Sequence, residues 1–147
     1  MEIIEVKSNK KLYMDLLFLA DEQESMINRY LDRGIMYVLD DNGVRAECVV
    51  TEEPSGVLEI KNIATEPSSQ RKGYGKKLID FLVQKYSGQY AFLQVGTGDS
   101  PLTIPFYEKC GFQRTHIVKN FFLDNYDHPI YECGVQLADM VYLQRKL

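Results

Sequence analysis

The alternation of apolar and polar positions along the chain predicts a regular succession of strands and helices. Short apolar runs with a period of two indicate strands, and apolar residues that recur every three or four positions indicate helices. The predicted strands are 2–6, 35–39, 44–51, 57–65, 90–95, 113–118 and 140–146. The predicted helices are about 10–20, about 22–32, a central helix that ends at Tyr86 and a short helix that ends before Gly111. The pattern therefore indicates an α/β protein.

Two turn signals join the early strands into an antiparallel meander. Asn42-Gly43 stands between two apolar runs, which is the strongest short-range signal for a hairpin. Pro54-Ser55-Gly56 predicts a second tight turn, into the strand at 57–65.

The stretch between the 57–65 strand and the central helix carries the clearest binding signal. Gly73 and Gly75 allow a tight turn and a close approach of backbone N–H groups to a ligand, and N–H groups at a helix N-terminus bind phosphate. A helix start favours acidic residues, yet this one is surrounded by bases: Arg71, Lys72, Lys76 and Lys77. The pattern predicts a bound polyanion, and the alternative is an ordinary glycine turn on a solvated basic surface.

This glycine loop, residues 70–75, resembles a known cofactor loop. It is not a dinucleotide fingerprint, because Leu78 stands where the third glycine is needed, and it also fails the Walker pattern. Gln70, Gly73 and Gly75 match in order the Gln/Arg-x-x-Gly-x-Gly/Ala loop of the GNAT superfamily of acyl-CoA N-acyltransferases. The segment 106–112, Phe-Tyr-Glu-Lys-Cys-Gly-Phe, resembles the second motif of that family.

The resemblance implies a fold and a cosubstrate. The expected fold is a single GNAT-type domain over residues 1–147, with a mixed, mainly antiparallel sheet of about seven strands flanked by about four helices. The expected cosubstrate is acetyl-CoA, with no metal. The implied cofactor contacts are Ile63, Ala64, Thr65, Gln70, Arg71, Lys72, Gly73, Tyr74, Gly75, Lys76, Asp99, Ser100 and Tyr107. Asp99 or Ser100 stands in for an Asn that the family usually has. The alternation of apolar and polar residues becomes irregular near Asn62-Ile63, which is compatible with the bulge that separates two strands in this family.

Two residues are candidates for proton transfer. The resemblance implies that Tyr107 returns a proton to the CoA thiolate; the alternative is a packed aromatic ring. Glu59 is a carboxylate inside an apolar strand, where burial would raise its pKa, and some family members have a catalytic Glu at the same interval before Gly73. The alternative is a solvent-facing Glu59 beside Lys61, and Glu47 is the second candidate for the base.

Acidic residues accumulate where the family builds its acceptor site, in the first two helices and the connection before the last strand. They are Asp21, Glu22, Glu24, Asp127, Glu132 and Asp139. An amine arrives protonated, so a negative pocket with aromatic faces suits it. Glu22, Tyr126 and Glu132 are the predicted substrate contacts. The predicted acceptor is a small cationic or polyamine-like amine, with a Lys side chain or protein N-terminus second; the alternative is solvated surface charge.

The connection itself, residues 119–139, is called the insertion below. A long connection in a small domain is commonly functional, and the alternative is a surface loop held to the core by its aromatic residues.

Composition narrows the class of protein further. A chain of 147 residues suits one domain, and a net charge of −4 with a pI near 5.2 argues against nucleic acid as the main partner. The 3 cysteines lack metal-ligand spacing and fit a reducing cytoplasm. No apolar run has membrane-spanning length. A homodimer is compatible with the sequence.

The predicted activity is transfer of an acetyl group from acetyl-CoA to a primary amine by direct attack in a ternary complex. The alternative is a CoA-binding sensor or interaction module of the same fold that has lost turnover, because a fold does not determine a function.

Overall fold

A seven-stranded sheet forms the centre of the computed structural model, which describes all 147 residues. The strands are β1 (Glu2–Val6), β2 (Ile35–Asp40), β3 (Val44–Glu53), β4 (Val57–Thr65), β5 (Phe92–Gly98), β6 (Gln113–Val118), β7 (Tyr131–Glu132), β8 (Val135–Gln136) and β9 (Met140–Lys146). The helices are α1 (Met14–Ala20), α2 (Glu24–Ile27), α3 (Tyr74–Tyr86), α4 (Ile104–Lys109) and α5 (Phe121–Asn125), with 3-10 turns at Lys10–Tyr13 and Pro67–Ser69.

The order of strands in the sheet is β1-β2-β3-β4-β5-β9-β6, and β7 and β8 form a separate hairpin. Every neighbouring pair is antiparallel except β4 and β5, which are parallel and connected through α3. A parallel pair needs such a crossover connection, whereas the antiparallel meander β2-β3-β4 needs only tight turns. The predicted fold class and the meander are confirmed.

One extra residue in β4 changes which face of the sheet its side chains reach. The register between β3 and β4 passes from Val49 opposite Asn62 to Val50 opposite Ile60, so Lys61 is a bulge. Ile60 packs into the core beneath α3, whereas the Asn62 side chain contacts α1 on the opposite face. The irregularity predicted near Asn62-Ile63 is therefore present, one residue earlier.

The same strand separates from β5 directly after the bulge. β4 and β5 pair only from Val57 to Ile60 and from Phe92 to Val95, and the rest of β5 pairs with β9 alone. The edge of β4 from Asn62 to Thr65 therefore has no neighbouring strand on the β5 side. We call this opening the β4–β5 gap.

Each face of the sheet has its own core. A cluster of 20 buried residues, including Leu78, Ile79 and Leu82, packs α3 and α4 against one face. A smaller cluster of 7 buried residues, including Leu17 and Ile27, covers the β2–β3 part of the other face. The insertion contributes a third cluster of three buried residues, Phe122, Ile130 and Leu137.

The prediction of a helix over about 22–32 is wrong. Only Glu24–Ile27 is helical, and turns follow up to Gly34. Tyr30 and Leu31 still point inward, so the apolar periodicity was real. However, the Lys10 ammonium donates to the carbonyls of Leu31, at 2.8 Å, and Gly34, at 2.6 Å. This contact from a distant residue satisfies carbonyls at the end of the turns, so the backbone does not need a regular helix there.

Smaller differences concern the ends of elements and the insertion. The strand predicted at 90–95 lies at Phe92–Gly98, and the first turn of the predicted helix at 10–20 is a 3-10 turn. The helix after β5 begins at Ile104, with Pro105 in its first turn. The insertion is not one irregular loop, since it contains α5 and the β7–β8 hairpin. No helix is both long and apolar enough to cross a membrane.

Candidate active site

The glycine loop presents free backbone donors at the start of α3. Gly73 is the N-cap residue with φ 83°, a left-handed conformation that favours glycine, and it has no side chain to cap the helix. The first bond from the helix back to the cap is from the Lys77 N–H to the Gly73 carbonyl, at 3.0 Å. The N–H groups of Tyr74, Gly75 and Lys76 therefore have no intrahelical acceptor, and no acidic residue occupies the first turn.

Several predicted cofactor contacts use their side chains within the protein. The Gln70 amide donates weakly to the Thr65 carbonyl, at 3.4 Å, and the Tyr74 hydroxyl donates to Asp41. Lys76 forms an ion pair of 2.8 Å with Asp80. These three residues can thus meet a ligand mainly through their backbone, whereas Arg71 and Lys72 are exposed and make no side-chain hydrogen bond.

A close contact joins the glycine loop to α4. A Cβ atom at Gly75 would lie 3.3 Å from Cζ of Phe106, which is tighter than ordinary packing. Glycine at this position therefore lets the N-terminus of α3 approach the helix that carries Tyr107. The two motifs recognised in the sequence, 31 residues apart from Gly75 to Phe106, become neighbours in the fold.

Tyr107 is buried, but its hydroxyl makes no hydrogen bond within the protein. Its ring packs edge-on against Phe106 and Phe112, with centroids 5.3 and 5.7 Å away. Burial raises the pKa of this phenol, and the nearby charges of Glu132 and Glu47 act in the same direction. The hydroxyl is therefore neutral at physiological pH and available as a proton donor.

The loop after β5 contributes one buried and one exposed residue. Ser100 is buried and its hydroxyl accepts the N–H of Leu102, at 3.1 Å, so it orders the turn that leads into α4. Asp99 is exposed. Both stand in the loop between β5, one side of the β4–β5 gap, and α4.

Glu59 lies in the paired part of the sheet, before the gap begins. It is buried, its carboxylate is 2.8 Å from the Lys61 ammonium, and it accepts a hydrogen bond of 2.6 Å from the Gln94 amide. The alternative of a solvent-facing Glu59 is therefore wrong, although the expected proximity to Lys61 is present, and the catalytic role of Glu59 stays a prediction.

Glu47 is fully buried on β3, and neither of its carboxylate oxygens has a hydrogen-bond partner. Ala46 and Cys48 belong to the core beneath α3, and Val49 belongs to the core on the opposite face. Because strand side chains alternate, Glu47 projects to the face of Val49. It stands opposite Ala64, on the part of β4 that borders the gap. Burial raises the pKa of Glu47 well above its usual range.

A polar network fixes the orientation of Asn62, a residue that the sequence analysis did not single out as a side chain. The Asn62 amide donates to the Leu17 carbonyl and to the Tyr30 hydroxyl, each at 3.0 Å. The hydroxyls of Tyr30 and Tyr126 donate to the two oxygens of Asp21, at 3.0 and 2.7 Å. The carbonyl oxygen of Asn62 is buried and has no partner. An amide inside an apolar strand, where alternation breaks down, was the available signal.

The predicted substrate contacts fall into two places. Glu22 and Tyr126 meet at the connection between α1 and α2, where Nε2 of His128 lies 2.9 Å from Glu22 and Tyr126 bonds Asp21. Glu132 on β7 is half-buried, and its burial raises its pKa. It lies near Tyr107, whose pKa its charge affects. The insertion therefore contacts the α1–α2 connection through Tyr126 and His128 and brings Glu132 near Tyr107 of α4.

Comparisons with known proteins agree with this arrangement. A family model described as an acetyltransferase (GNAT) domain matches residues 32–114, more than half of the chain. The uncharacterized N-acetyltransferase YvbK of Bacillus subtilis is 38% identical over 140 residues, covering 93% of this chain and 90% of the relative. The chain therefore belongs to the GNAT acetyltransferase family.

Two solved structures are similar over nearly their whole length. A Bacillus subtilis acetyltransferase in complex with CoA has a TM-score of 0.90 and 34% identity, covering 99% of this chain and 98% of that one. A GNAT family acetyltransferase from Elizabethkingia anophelis with acetyl-CoA bound has a TM-score of 0.93 and 35% identity, covering 99% and 97%. The GNAT-type fold expected from the sequence is confirmed.

Proposed function

We propose that the protein transfers an acetyl group from acetyl-CoA to a primary amine by direct attack in a ternary complex. The observation that carries the proposal is Tyr107 on α4, the helix that Gly75 allows to approach the glycine loop. The residue is buried, and its hydroxyl is neutral and makes no hydrogen bond within the protein. A proton donor with no structural partner, next to an anion site and an opened strand edge, suits the departure of a thiolate.

The cosubstrate is held by features of the backbone. The pyrophosphate lies on the N–H groups of Tyr74, Gly75 and Lys76, which point from a helix N-terminus, with Arg71 and Lys72 adding positive charge. The pantetheine arm lies along the unpaired edge of β4 from Ile63 to Thr65, whose backbone groups provide hydrogen bonds and an N–H for the thioester oxygen. That similar proteins hold CoA or acetyl-CoA supports this placement.

Starting from the neutral amine, the reaction removes one proton from nitrogen and adds one to sulfur. The amine nitrogen forms a C–N bond with the acetyl carbon, and the C–S bond breaks. Tyr107 donates its proton to the departing thiolate, and the resulting phenolate takes up the proton that the new amide nitrogen loses, which restores the phenol. In this way the protein avoids releasing a free thiolate. General acid catalysis of this kind typically increases the rate about 10²–10⁴-fold.

The acceptor approaches from the side of α1, α2 and the insertion. Asp21, Glu22 and Glu132 lie there, which favours a cationic amine over a neutral one. A protein N-terminus is the second class of acceptor. It is supported by a relative with 28% identity over 94 residues, the ribosomal protein bS18-alanine N-acetyltransferase of Escherichia coli, whose name specifies an alanine of a protein as the substrate.

Turnover with a panel of amines tests the proposal. We expect free thiol to be released from acetyl-CoA with at least one of spermidine, 1,4-diaminobutane, 2-phenylethylamine, lysine methyl ester and an alanine-initiated peptide. The rate should depend on the amine concentration and produce one equivalent of N-acetylated product by mass spectrometry. Binding of acetyl-CoA without turnover of any amine would favour the sensor alternative.

A further inference from the structure

Two buried side chains on neighbouring strands carry hydrogen-bond acceptors that have no donor. The acceptors are both carboxylate oxygens of Glu47 and the side-chain carbonyl oxygen of Asn62, and no other buried side-chain nitrogen or oxygen in the structure lacks a partner. An unpaired buried acceptor is costly, and an unpaired buried carboxylate is much more so. Such groups are expected where a ligand supplies the missing donor.

The two acceptors lie on the same face of the sheet, at the gap. Glu47 is opposite Ala64 and Asn62 is opposite Val49, so the two side chains are diagonal neighbours on β3 and β4. Diagonal neighbours are about 7–8 Å apart, which leaves room for a small polar group between long side chains. Ala64 and Asn62 both follow the point at which β4 leaves β5. A donor placed between them would therefore lie beside the proposed path of the thioester.

The direction of the Asn62 carbonyl is fixed by its surroundings. Both of its N–H groups are used, one by the Leu17 carbonyl and one by the Tyr30 hydroxyl. Tyr30 is in turn held by Asp21, which Tyr126 also holds. Rotating the amide would break two bonds, so the structure presents an acceptor here and not a donor.

No cation of the protein neutralises Glu47. The ionisable groups that its charge influences are Tyr30 from the segment after α2, Tyr107 from α4 and Cys48 from β3 itself, and all three are acids. Neither Lys nor Arg forms an ion pair with Glu47, in contrast to Glu59. A positive charge at this point must therefore come from a ligand.

We infer that the carboxylate of Glu47 and the carbonyl of Asn62 together receive the ammonium group of the acceptor, and that Glu47 takes the proton which the nitrogen loses before it attacks. This inference rests on the proposed function. The ligand class is a primary alkylammonium, since it brings three N–H donors and a positive charge. An alcohol brings a single O–H donor without charge, and a quaternary ammonium brings the charge without a donor. One N–H bond breaks, its proton moves to Glu47, and the freed lone pair forms the C–N bond.

Binding of a small ammonium ion tests the receptor without requiring turnover. Propylammonium chloride at millimolar concentrations should raise the melting temperature of the CoA complex, and tetramethylammonium chloride, which has no N–H, should not. Glu47→Gln should weaken propylammonium binding at least tenfold, while Glu52→Gln, an exposed residue on the same strand, should leave it unchanged. No response to propylammonium, an equal response to both cations, or an unaltered response in Glu47→Gln would overturn the inference.

The pH dependence of turnover tests the proton transfer. With the amines that the wild type acetylates, Glu47→Gln should lower kcat/KM at neutral pH about 100-fold or more and flatten the acid limb of the profile. The limb arises because Glu47 must be ionised to accept the proton, and burial raises the pKa of Glu47 well above the usual range of a glutamate. If Glu47→Gln keeps the limb, or if Glu59→Gln removes it instead, the assignment of Glu47 is wrong. If the wild type acetylates no amine, the proposed function fails, and the ammonium experiment still decides the receptor.

Discussion

Gly73→Glu is expected to abolish the stabilisation that acetyl-CoA gives to the wild-type protein. At 100 times its dissociation constant, a ligand that binds only the folded state contributes about 2.7 kcal/mol. For a chain of this size that corresponds to a rise in melting temperature of about 5–10 °C. A carboxylate at the N-cap would lie among the N–H groups proposed for the pyrophosphate, so it would both block and repel that group.

Gly88→Glu is the matched control for this experiment. Gly73 and Gly88 both have φ 83°, and a Cβ atom at either position would meet nothing within 4 Å. Both variants therefore carry the same left-handed backbone penalty, about 1–2 kcal/mol, and no steric clash. Gly88 lies beyond the other end of α3, away from the glycine loop. We expect the ligand-free proteins to lose similar stability and only Gly88→Glu to retain the acetyl-CoA shift, measured by differential scanning fluorimetry.

Two results would contradict the proposed cofactor site. A full shift in Gly73→Glu would place acetyl-CoA somewhere other than the glycine loop. The absence of a shift in the wild type would remove the basis of the proposed function. Desulfo-CoA should stabilise the protein as acetyl-CoA does, because the proposed contacts are with the pyrophosphate and the pantetheine arm.

The strands were predictable from the sequence because each one carries its own signal. Asn42-Gly43 and Pro54–Gly56 define the turns of the meander, and the apolar runs between them define the strands. The glycine loop was also readable, since left-handed and closely packed positions restrict the residue type, as Gly73 and Gly75 do here. The turns, the strands and the left-handed position of Gly73 depend on residues that are near one another in the chain, whereas the close contact at Gly75 is with the distant Phe106.

The features that the sequence did not predict depend on contacts between distant residues. The turns after α2 are tied to the Lys10 ammonium, and the insertion is ordered by docking on the α1–α2 connection and on β5. Leu137, for example, lies directly over Gly98, where a Cβ atom would come within 2.6 Å of its side chain. No local pattern in the sequence indicates which distant surface such a segment will cover.

The candidate site was only partly predictable because of the bulge at Lys61. Strict alternation places Asn62 on the same face as Ile60, in the core beneath α3. The extra residue reverses this, so Asn62 reaches α1 and the neighbourhood of Glu47. The sequence drew attention to Glu59 as a carboxylate in an apolar strand, but Glu47 satisfies the same criterion. Only the structure distinguishes them. Glu59 forms an ion pair with Lys61 and a hydrogen bond with Gln94, whereas Glu47 has no partner.

Tyr107→Phe is expected to lower kcat at least tenfold while leaving stability and acetyl-CoA binding nearly unchanged. The substitution keeps the ring and its contacts with Phe106 and Phe112, and removes only a hydroxyl that has no partner in the protein. We therefore expect the free energy of unfolding to change by less than about 0.5 kcal/mol. The loss in rate reflects the missing proton for the departing thiolate, and it should fall on kcat and kcat/KM alike.

Tyr86→Phe provides the opposite combination of effects. Tyr86 is also buried, but its hydroxyl lies 2.6 Å from that of Tyr37, in the core beneath α3. Removing it should cost about 1 kcal/mol of stability, because the Tyr37 hydroxyl loses its partner, with no effect on kcat. Thermal unfolding and steady-state thiol release, measured on both variants, separate a catalytic hydroxyl from a structural one.

The pH profile adds a second test of the same residue. Tyr107 must keep its proton to act as an acid, and burial raises its pKa above the ordinary tyrosine value of about 10. The wild type should therefore show no alkaline loss of kcat that is due to Tyr107 below about pH 10. An alkaline limb near pH 8 that disappears in Tyr107→Phe would indicate a phenol with a lowered pKa, contrary to its surroundings. An unchanged kcat in Tyr107→Phe would leave the ring with a packing role only, and the thiolate would then take its proton from water.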